Sequence, residues 1–269
     1  MIAIAESGST KCDWVILNGD LERIAEVKTL GFNPYFHDEK FVSETLAQNE
    51  VLLNVAPDIT QLFFYGAGCS DKRLNQIIQA GLLRFFTNAQ VKVEHDLVAA
   101  AYSLYQGEPI ISCIIGTGSN SGFFDGEKIT EYVPALGFIM GDEASGSYFG
   151  KKVLADFFYN RLPAEMHEDF ADQFGLKWHE TLEKIYNNPH ANVYLASFMK
   201  FIAFHRNNPY VTEMIRNGMA RFIDIHVTAV PNFGQYKVGF VGTIAFVFSD
   251  ILEEELTKRG CQMGLVLKS

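Results

Sequence analysis

The chain has 269 residues, of which 48% are hydrophobic and 20% charged, with 23 Phe and 11 Tyr. That length suits one large or two modest domains, and the composition excludes disorder, collagen and coiled coil. The 22 Lys and Arg against 32 Asp and Glu leave a net charge of −10. With Lys and Arg scattered, no basic stripe offsets that charge, so no nucleic-acid partner is expected. The four cysteines, Cys12, Cys69, Cys113 and Cys261, form no Cys-x-x-Cys pair, which argues against a zinc or iron–sulfur site held by this chain alone. No basic-then-apolar leader opens the sequence and no apolar stretch reaches the length of a membrane span, so the expectation is a cytoplasmic protein with reduced thiols and no membrane partner.

Short β-type runs alternate with turns in the first half. Ile2 to Ala5 is apolar, Glu6 to Lys11 reads as a polar turn, and Asp13 to Leu17 is apolar again. Asn18-Gly19-Asp20 signals a hairpin into a third strand, Ile24 to Thr29. Leu62 to Tyr65 and Val91 to Glu94 read as buried strands around a helix from about Arg73 to Phe85. Asp96 to Tyr105 places Leu97, Ala100, Ala101 and Leu104 on one helical face.

The second half opens with the apolar strand Ile110 to Ile115, which runs into Gly116-Thr117-Gly118-Ser119-Asn120 and then a hairpin around Asp125-Gly126. Helices are expected over about Ala144 to Arg161, Trp178 to Tyr186, Val193 to Phe204 and Val211 to Val227. The strand Lys237 to Val241 passes through Gly242-Thr243 into a helix ending near Lys258, and Gly264 to Leu267 is strand-like. The fold class is α/β with mixed sheets. Both halves repeat one theme, a strand followed by a glycine-hydroxyl turn, which points to two related α/β lobes with a boundary at 108/109.

Five segments carry residue types suited to chemistry. In Glu6-Ser7-Gly8-Ser9-Thr10-Lys11, backbone N–H groups and hydroxyls suit phosphate oxygens, and the carboxylate at the head suits Mg²⁺; a plain hairpin turn explains the segment equally well. Gly116 to Asn120 is a second such turn, and paired phosphate hairpins are how one class of ATPases grips a triphosphate. Gly137-Phe138-Ile139-Met140-Gly141-Asp142-Glu143-Ala144-Ser145-Gly146-Ser147 breaks an apolar stretch, presents two carboxylates and enters a helix. Asp142 as its N-cap accounts for the acids but not for the glycines. Asp96, ending the strand in Glu94-His95-Asp96, is either a helix cap or a reactive carboxylate. Gly242-Thr243 offers backbone on which a base or ribose could lie, or serves only strand–helix packing. His226 and the other remaining histidines form no metal spacing and read as surface or packed residues.

Taken together, these turns resemble the sugar kinase/heat-shock ATPase/actin superfamily, and within it the N-acetylglucosamine kinase branch of the BadF/BadG/BcrA/BcrD-type ATPases. The most specific piece is Gly137 to Ser147, similar to the family's Gly-Trp-Gly…Gly-Asp-Glu-Gly-Ser segment; Gly116 to Asn120 and Ser7 to Lys11 match its two phosphate turns. The resemblance implies two ribonuclease-H-like lobes around a nucleotide cleft, residues 1–108 and 109–269, the second with a helical insertion. It implies ATP and Mg²⁺ as cofactors and an amino sugar as the small-molecule partner. Asp96 then takes the catalytic position, Glu6 the metal position, and Ser7, Gly8, Ser9, Thr10, Lys11, Gly116, Thr117, Gly118, Ser119, Gly242 and Thr243 the phosphate and nucleotide positions. Asn33, Tyr35, Asn120, Gly137, Phe138 and Asp142 take the sugar-binding positions.

The sequence departs from that family at Glu6, where the family has Asp, and at Phe138, where it has Trp. The family also continues with a Pro-Gly-containing helical tail after the segment matching Gly264 to Leu267. Two other readings stand beside the kinase: an activator-type ATPase serving a partner enzyme, and a nucleotide or sugar sensor with weak catalysis. The Phe- and Tyr-rich helices of the second half suit either a homodimer face or an internal core.

Overall fold

The computed structural model describes residues 1–8 and 10–268. The chain divides into two compact units, Met1–Ala99 and Ala100–Ser269. Each is built on a five-stranded mixed sheet with helices.

In the first unit, β1 (Ile2–Ser7), β2 (Lys11–Leu17) and β3 (Arg23–Leu30) form an antiparallel meander. Helices α1 (Glu39–Leu46) and α2 (Glu50–Val55) follow, then β4 (Gln61–Gly66), α3 (Lys72–Phe85) and β5 (Gln90–His95). β4 lies parallel to β1 and β5 parallel to β4, giving the order β3-β2-β1-β4-β5. Alternation decides the faces. Ala3, Ala5 and Ser7 of β1 are buried with Trp14, Phe32 and Phe64, while Ile2, Ile4 and Glu6 point to the other side. Trp14 keeps its indole polar end satisfied by donating to Thr29 Oγ1 at 3.0 Å. Helices α1 and α2 escape the periodicity reading. Their signal is capping, since Asp38 accepts the Phe41 N–H and Asn49 the Leu52 N–H.

Helix α4 (Asp96–Leu104) crosses the division between the units. The second unit then repeats the topology of the first. β6 (Ile110–Ile115), β7 (Ser119–Phe124) and β8 (Ile129–Thr130) form a meander, followed by the short α5 (Gly137–Met140). A helical set comes next: α6 (Gly146–Phe158), α7 (Ala164–Phe174), α8 (Trp178–Tyr186), α9 (Ala191–Ala196), α10 (Met199–Phe204) and α11 (Pro209–Phe222). Helix α11 ends in a π-helical turn, Ile223–Val227. Then β9 (Lys237–Val241), α12 (Thr243–Val247), α13 (Ser249–Thr257) and β10 (Gln262–Leu267) close the sheet in the order β10-β9-β6-β7-β8. Both sheets therefore place a three-stranded antiparallel meander beside two parallel strands, the two-lobed α/β fold of the actin-like ATPases and sugar kinases.

Several local expectations change. The helix expected over Val193–Phe204 is two helices, because Ser197 turns back on the preceding turn: its Oγ donates to Tyr194 O at 2.6 Å and its N–H bonds both Val193 O and Tyr194 O. The helix expected to end near Lys258 breaks at Phe248, whose φ of −114° and ψ of 31° leave the helical region. The helix expected to run to Val227 leaves α geometry at Ile223, where the Thr228 N–H bonds Ile223 O five residues back. Helix α7, between two predicted helices, has a half-polar face that the apolar pattern does not single out.

Candidate functional site

In the first unit, four chain segments meet at one end of the sheet. Ser7 pairs with Gly66 and Gly66 with His95, so the carboxyl ends of the parallel strands β1, β4 and β5 lie in one row. Ligands of open α/β sheets characteristically bind beyond such ends. Asp96 follows directly. The turn after β1 is shorter than the sequence pattern indicates, because Glu6 and Ser7 belong to β1 and Lys11 to β2. Gly8 and Thr10 remain in the turn, and Ser9 lies outside the described residues. The Thr10 carbonyl accepts the Gly31 N–H at 3.3 Å, which brings the segment after β3 alongside.

Side chains in this region divide by role. The Ser7 hydroxyl is fully buried and occupied by Phe32, accepting its N–H at 2.7 Å and donating to its carbonyl at 3.3 Å. Lys11 Nζ pairs with Asp13 at 2.6 Å. Glu6 pairs with Asp13 of the neighbouring β2, and its carboxyl is pushed up to about 7, first by burial, then by Asp96 and Asp13, against the pull of Lys11. Asp96 is also raised from the usual carboxylate range by burial, opposed by His95 and by the Leu97 N–H. Its side chain is 18% exposed, with His95 Nε2 3.3 Å from Oδ1. That buried Oδ1 makes no hydrogen bond. An unsatisfied carboxylate oxygen at the end of a parallel strand is placed to accept a proton or a hydrogen bond from a ligand.

Asn33 is oriented by its own loop. Its Oδ1 accepts the Tyr35 N–H at 3.0 Å, and its N–H donates to His37 Nδ1 at 3.2 Å. Gly68, at φ +79°, packs so closely that a Cβ there would lie 2.7 Å from Asn33 Oδ1. The Tyr35 ring stands exposed beside an open groove of about 370 Å³ lined by Pro34, His37, Asp38 and Ile77.

Three segments of the second unit converge in the same way at the ends of β6 and β9. The turn is closed by the Gly116 N–H bonding Gly118 O at 2.9 Å, whereas Ser119 and Asn120 already belong to β7. The loop before α6 docks onto this turn, with Gly146 N–H to Gly116 O at 2.8 Å and Ser147 N–H to Thr117 O at 3.1 Å. Asp142 Oδ1 accepts the Ser119 N–H at 3.4 Å. Asp142 is not the helix N-cap: that position belongs to Ser145, whose Oγ accepts the Tyr148 N–H, while Asp142 adopts a positive φ of 54°. Gly242, at φ +131°, lies against the start of the same turn, where a Cβ would sit 2.3 Å from Ile115 O. Thr243 is exposed at the first position of α12.

Asn120 is buried, its Oδ1 accepting the Ser121 N–H at 2.8 Å. Gly137 and Phe138 open α5, where the Phe138 carbonyl accepts Lys151 Nζ at 3.0 Å and the ring packs on the core. At Gly116 a Cβ would meet nothing within 4 Å, so this turn borders open space. His226, which the sequence marks only as a surface or packed residue, is 4% exposed and reaches both Ser121 and Glu143. No sequence pattern marks that pairing, since it joins β7, the loop before α6 and the π turn.

Among the described residues, no group of three or more His, Cys, Asp or Glu side chains is arranged to hold a metal ion, and no helix is long and apolar enough to cross a membrane. Mg²⁺ needs only one or two carboxylates, completing its shell with water and phosphate oxygens. Glu6 fits that demand, because a cation would relieve the repulsion it meets from Asp96 and Asp13.

No family model and no curated protein matches the chain. Solved structures do. A protein of Porphyromonas gingivalis, provisionally named an N-acetylglucosamine kinase, is 33% identical, with a TM-score of 0.92 over 100% of this chain and 95% of that one. A Chromobacterium violaceum protein of the same provisional name shares 15% identity at a TM-score of 0.75, covering 98% and 93%. A Streptomyces griseus ROK family glucokinase, solved with glucose and AMPPNP, shares 14% at a TM-score of 0.55, covering 99% and 93%; likenesses this distant concern the fold. The identity and coverage of the first match place this chain in the same family as the Porphyromonas gingivalis protein provisionally named an N-acetylglucosamine kinase.

Proposed function

We propose that the protein transfers the γ-phosphoryl group of ATP to a hydroxyl of an amino sugar of the N-acetylglucosamine class. The observation that carries this reading is Asp96, a carboxylate with an unsatisfied buried oxygen held above its usual range at the end of β5. Phosphoryl transfer asks a protein chiefly for positioning and charge stabilisation. Asp96 would orient the acceptor hydroxyl and take its proton, help typically worth about 10²–10⁴-fold. The N–H groups of the Gly116–Gly118 turn would hold phosphate oxygens, with Gly8 and Thr10 supplying the corresponding turn of the first unit. Glu6 would hold Mg²⁺ directly or through water, and that ion, when bound, offsets the charge of the triphosphate. Asn33, Tyr35, Asn120 and Asp142 would bind the sugar, while Gly242 and Thr243 would carry the adenosine.

The name of the 33% identical relative supports the acceptor class, and the AMPPNP held by the Streptomyces protein supports ATP as donor. All four cysteines are buried, which weighs against the activator reading, where a cysteine must reach a bridging cluster. Release of ADP measured with and without N-acetylglucosamine tests the proposal. Sugar-dependent release is expected. Sugar-independent release would favour an activator, and binding without release a sensor.

A further inference from the structure

We propose that His226 is a positioning residue that sets the sugar-contacting segments of the second unit; the inference rests on the function proposed above. The imidazole is buried in the π turn and stacked on Phe222, with ring centroids 4.6 Å apart and planes within 19°. Its Nδ1 lies 3.2 Å from Ser121 Oγ and its Nε2 3.4 Å from Glu143 Oε2. Each partner is the chain neighbour of a proposed sugar contact, Ser121 of Asn120 and Glu143 of Asp142. One ring therefore braces two segments 22 residues apart in sequence.

Glu143 is where bracing is needed. It stands between two non-glycine residues at positive φ, Asp142 at 54° and Ala144 at 60°. Such conformations are strained and persist only when their surroundings hold them. Glu143 is itself buried, and its other oxygen faces the exposed Arg221, Nε to Oε1 at 3.6 Å. The π turn is anchored from outside as well, by Arg259 Nη2 donating to Asp224 Oδ2 at 2.9 Å. Burial holds His226 below its ordinary value against the opposing effect of Glu143, which favours the neutral ring. A neutral ring with its proton on Nε2 donates to the carboxylate and accepts from the serine hydroxyl, satisfying all three groups. The π winding is what brings His226 to this place, and interruptions of this kind recur at functional sites.

His226→Phe keeps the ring and its stacking but loses both polar contacts, whereas His226→Gln restores an amide donor and a carbonyl acceptor. For folded His226→Phe, the expected result is a sugar KM raised tenfold or more, with the ATP KM within twofold and a smaller fall in kcat. His226→Gln should recover most of the loss, and calorimetry with N-acetylglucosamine should show the same order of affinities. A merely structural histidine would lower Tm without separating the two KM values. A folded His226→Phe with sugar KM within twofold of wild type overturns the proposal, as does a His226→Gln no better than Phe. Should His226→Phe fail to fold, Ser121→Ala carries the test: a raised sugar KM supports the bracing role and an unchanged one overturns it. Wild-type protein that neither turns over nor binds the sugar would instead remove the parent reading, and this inference with it.

Discussion

Asp142 lies so close to Gly118 that a Cβ added there would meet Oδ2 at 2.9 Å, while its Oδ1 accepts the Ser119 N–H. The acidic loop and the glycine turn are thus packed directly against each other.

Two alanine substitutions in that turn should separate its duties. Gly118→Ala would push the Asp142 carboxylate aside, which a side chain can accommodate. The expected outcome is a several-fold rise in sugar KM with a stability loss of about 1–2 kcal/mol. Gly116→Ala meets open space, so its Tm should stay close to wild type while ADP affinity falls at least tenfold. Unchanged ADP affinity in Gly116→Ala would take the phosphate away from this turn.

Gly242→Ala provides the structural contrast. Its Cβ would strike the carbonyl oxygen of Ile115, and φ there is +131°, so neither rotation nor a side-chain shift relieves the clash. We expect a loss of about 3 kcal/mol or more in urea unfolding, against about 1 kcal/mol or less for Gly116→Ala.

Asp96→Asn preserves shape and removes the proton acceptor. Turnover should fall by about 10²–10⁴-fold or more, while calorimetric affinity for ADP stays within twofold. Near wild-type turnover would exclude Asp96 from proton transfer.

Glu6 predicts a pH signature in metal-free buffer. Its carboxyl moves from the model-compound 4.5 to about 7 on folding, through burial and then Asp96 and Asp13, with Lys11 opposing. The folded state therefore binds the extra proton between those values. The resulting penalty is absent below about pH 4.5, grows as pH rises to 7, and is complete above it. At about 1.4 kcal/mol per unit, it approaches roughly 3 kcal/mol. Glu6→Gln should stabilise the protein by about 2–3 kcal/mol at pH 8 and far less at pH 5, measured by urea unfolding in EDTA, while impairing turnover. An equal gain at both pH values would show that Glu6 is not held in its protonated form by folding.

The sequence by itself determined the strands, the glycine turns and the theme, a strand followed by such a turn, that both halves repeat. Those features are local: short apolar runs of five or six residues set β1, β6 and β9, and glycine pairs mark where the backbone must turn. It also placed Asp96 directly after the strand that is β5, where it reads as either a helix cap or a reactive carboxylate. Tertiary structure alone decided which polar atoms are already occupied. Ser7 reads as a phosphate-binding hydroxyl, yet Phe32, 25 residues away, takes both its bonds. Asp142 reads as a helix cap, yet Ser145 caps and Asp142 turns to Ser119. His226 reads as one more packed histidine until the π turn sets it between Ser121 and Glu143, 105 and 83 residues distant. A residue's propensities are carried by its neighbours in the chain, but its hydrogen-bond partners are chosen by packing, which brings together groups that no local pattern relates.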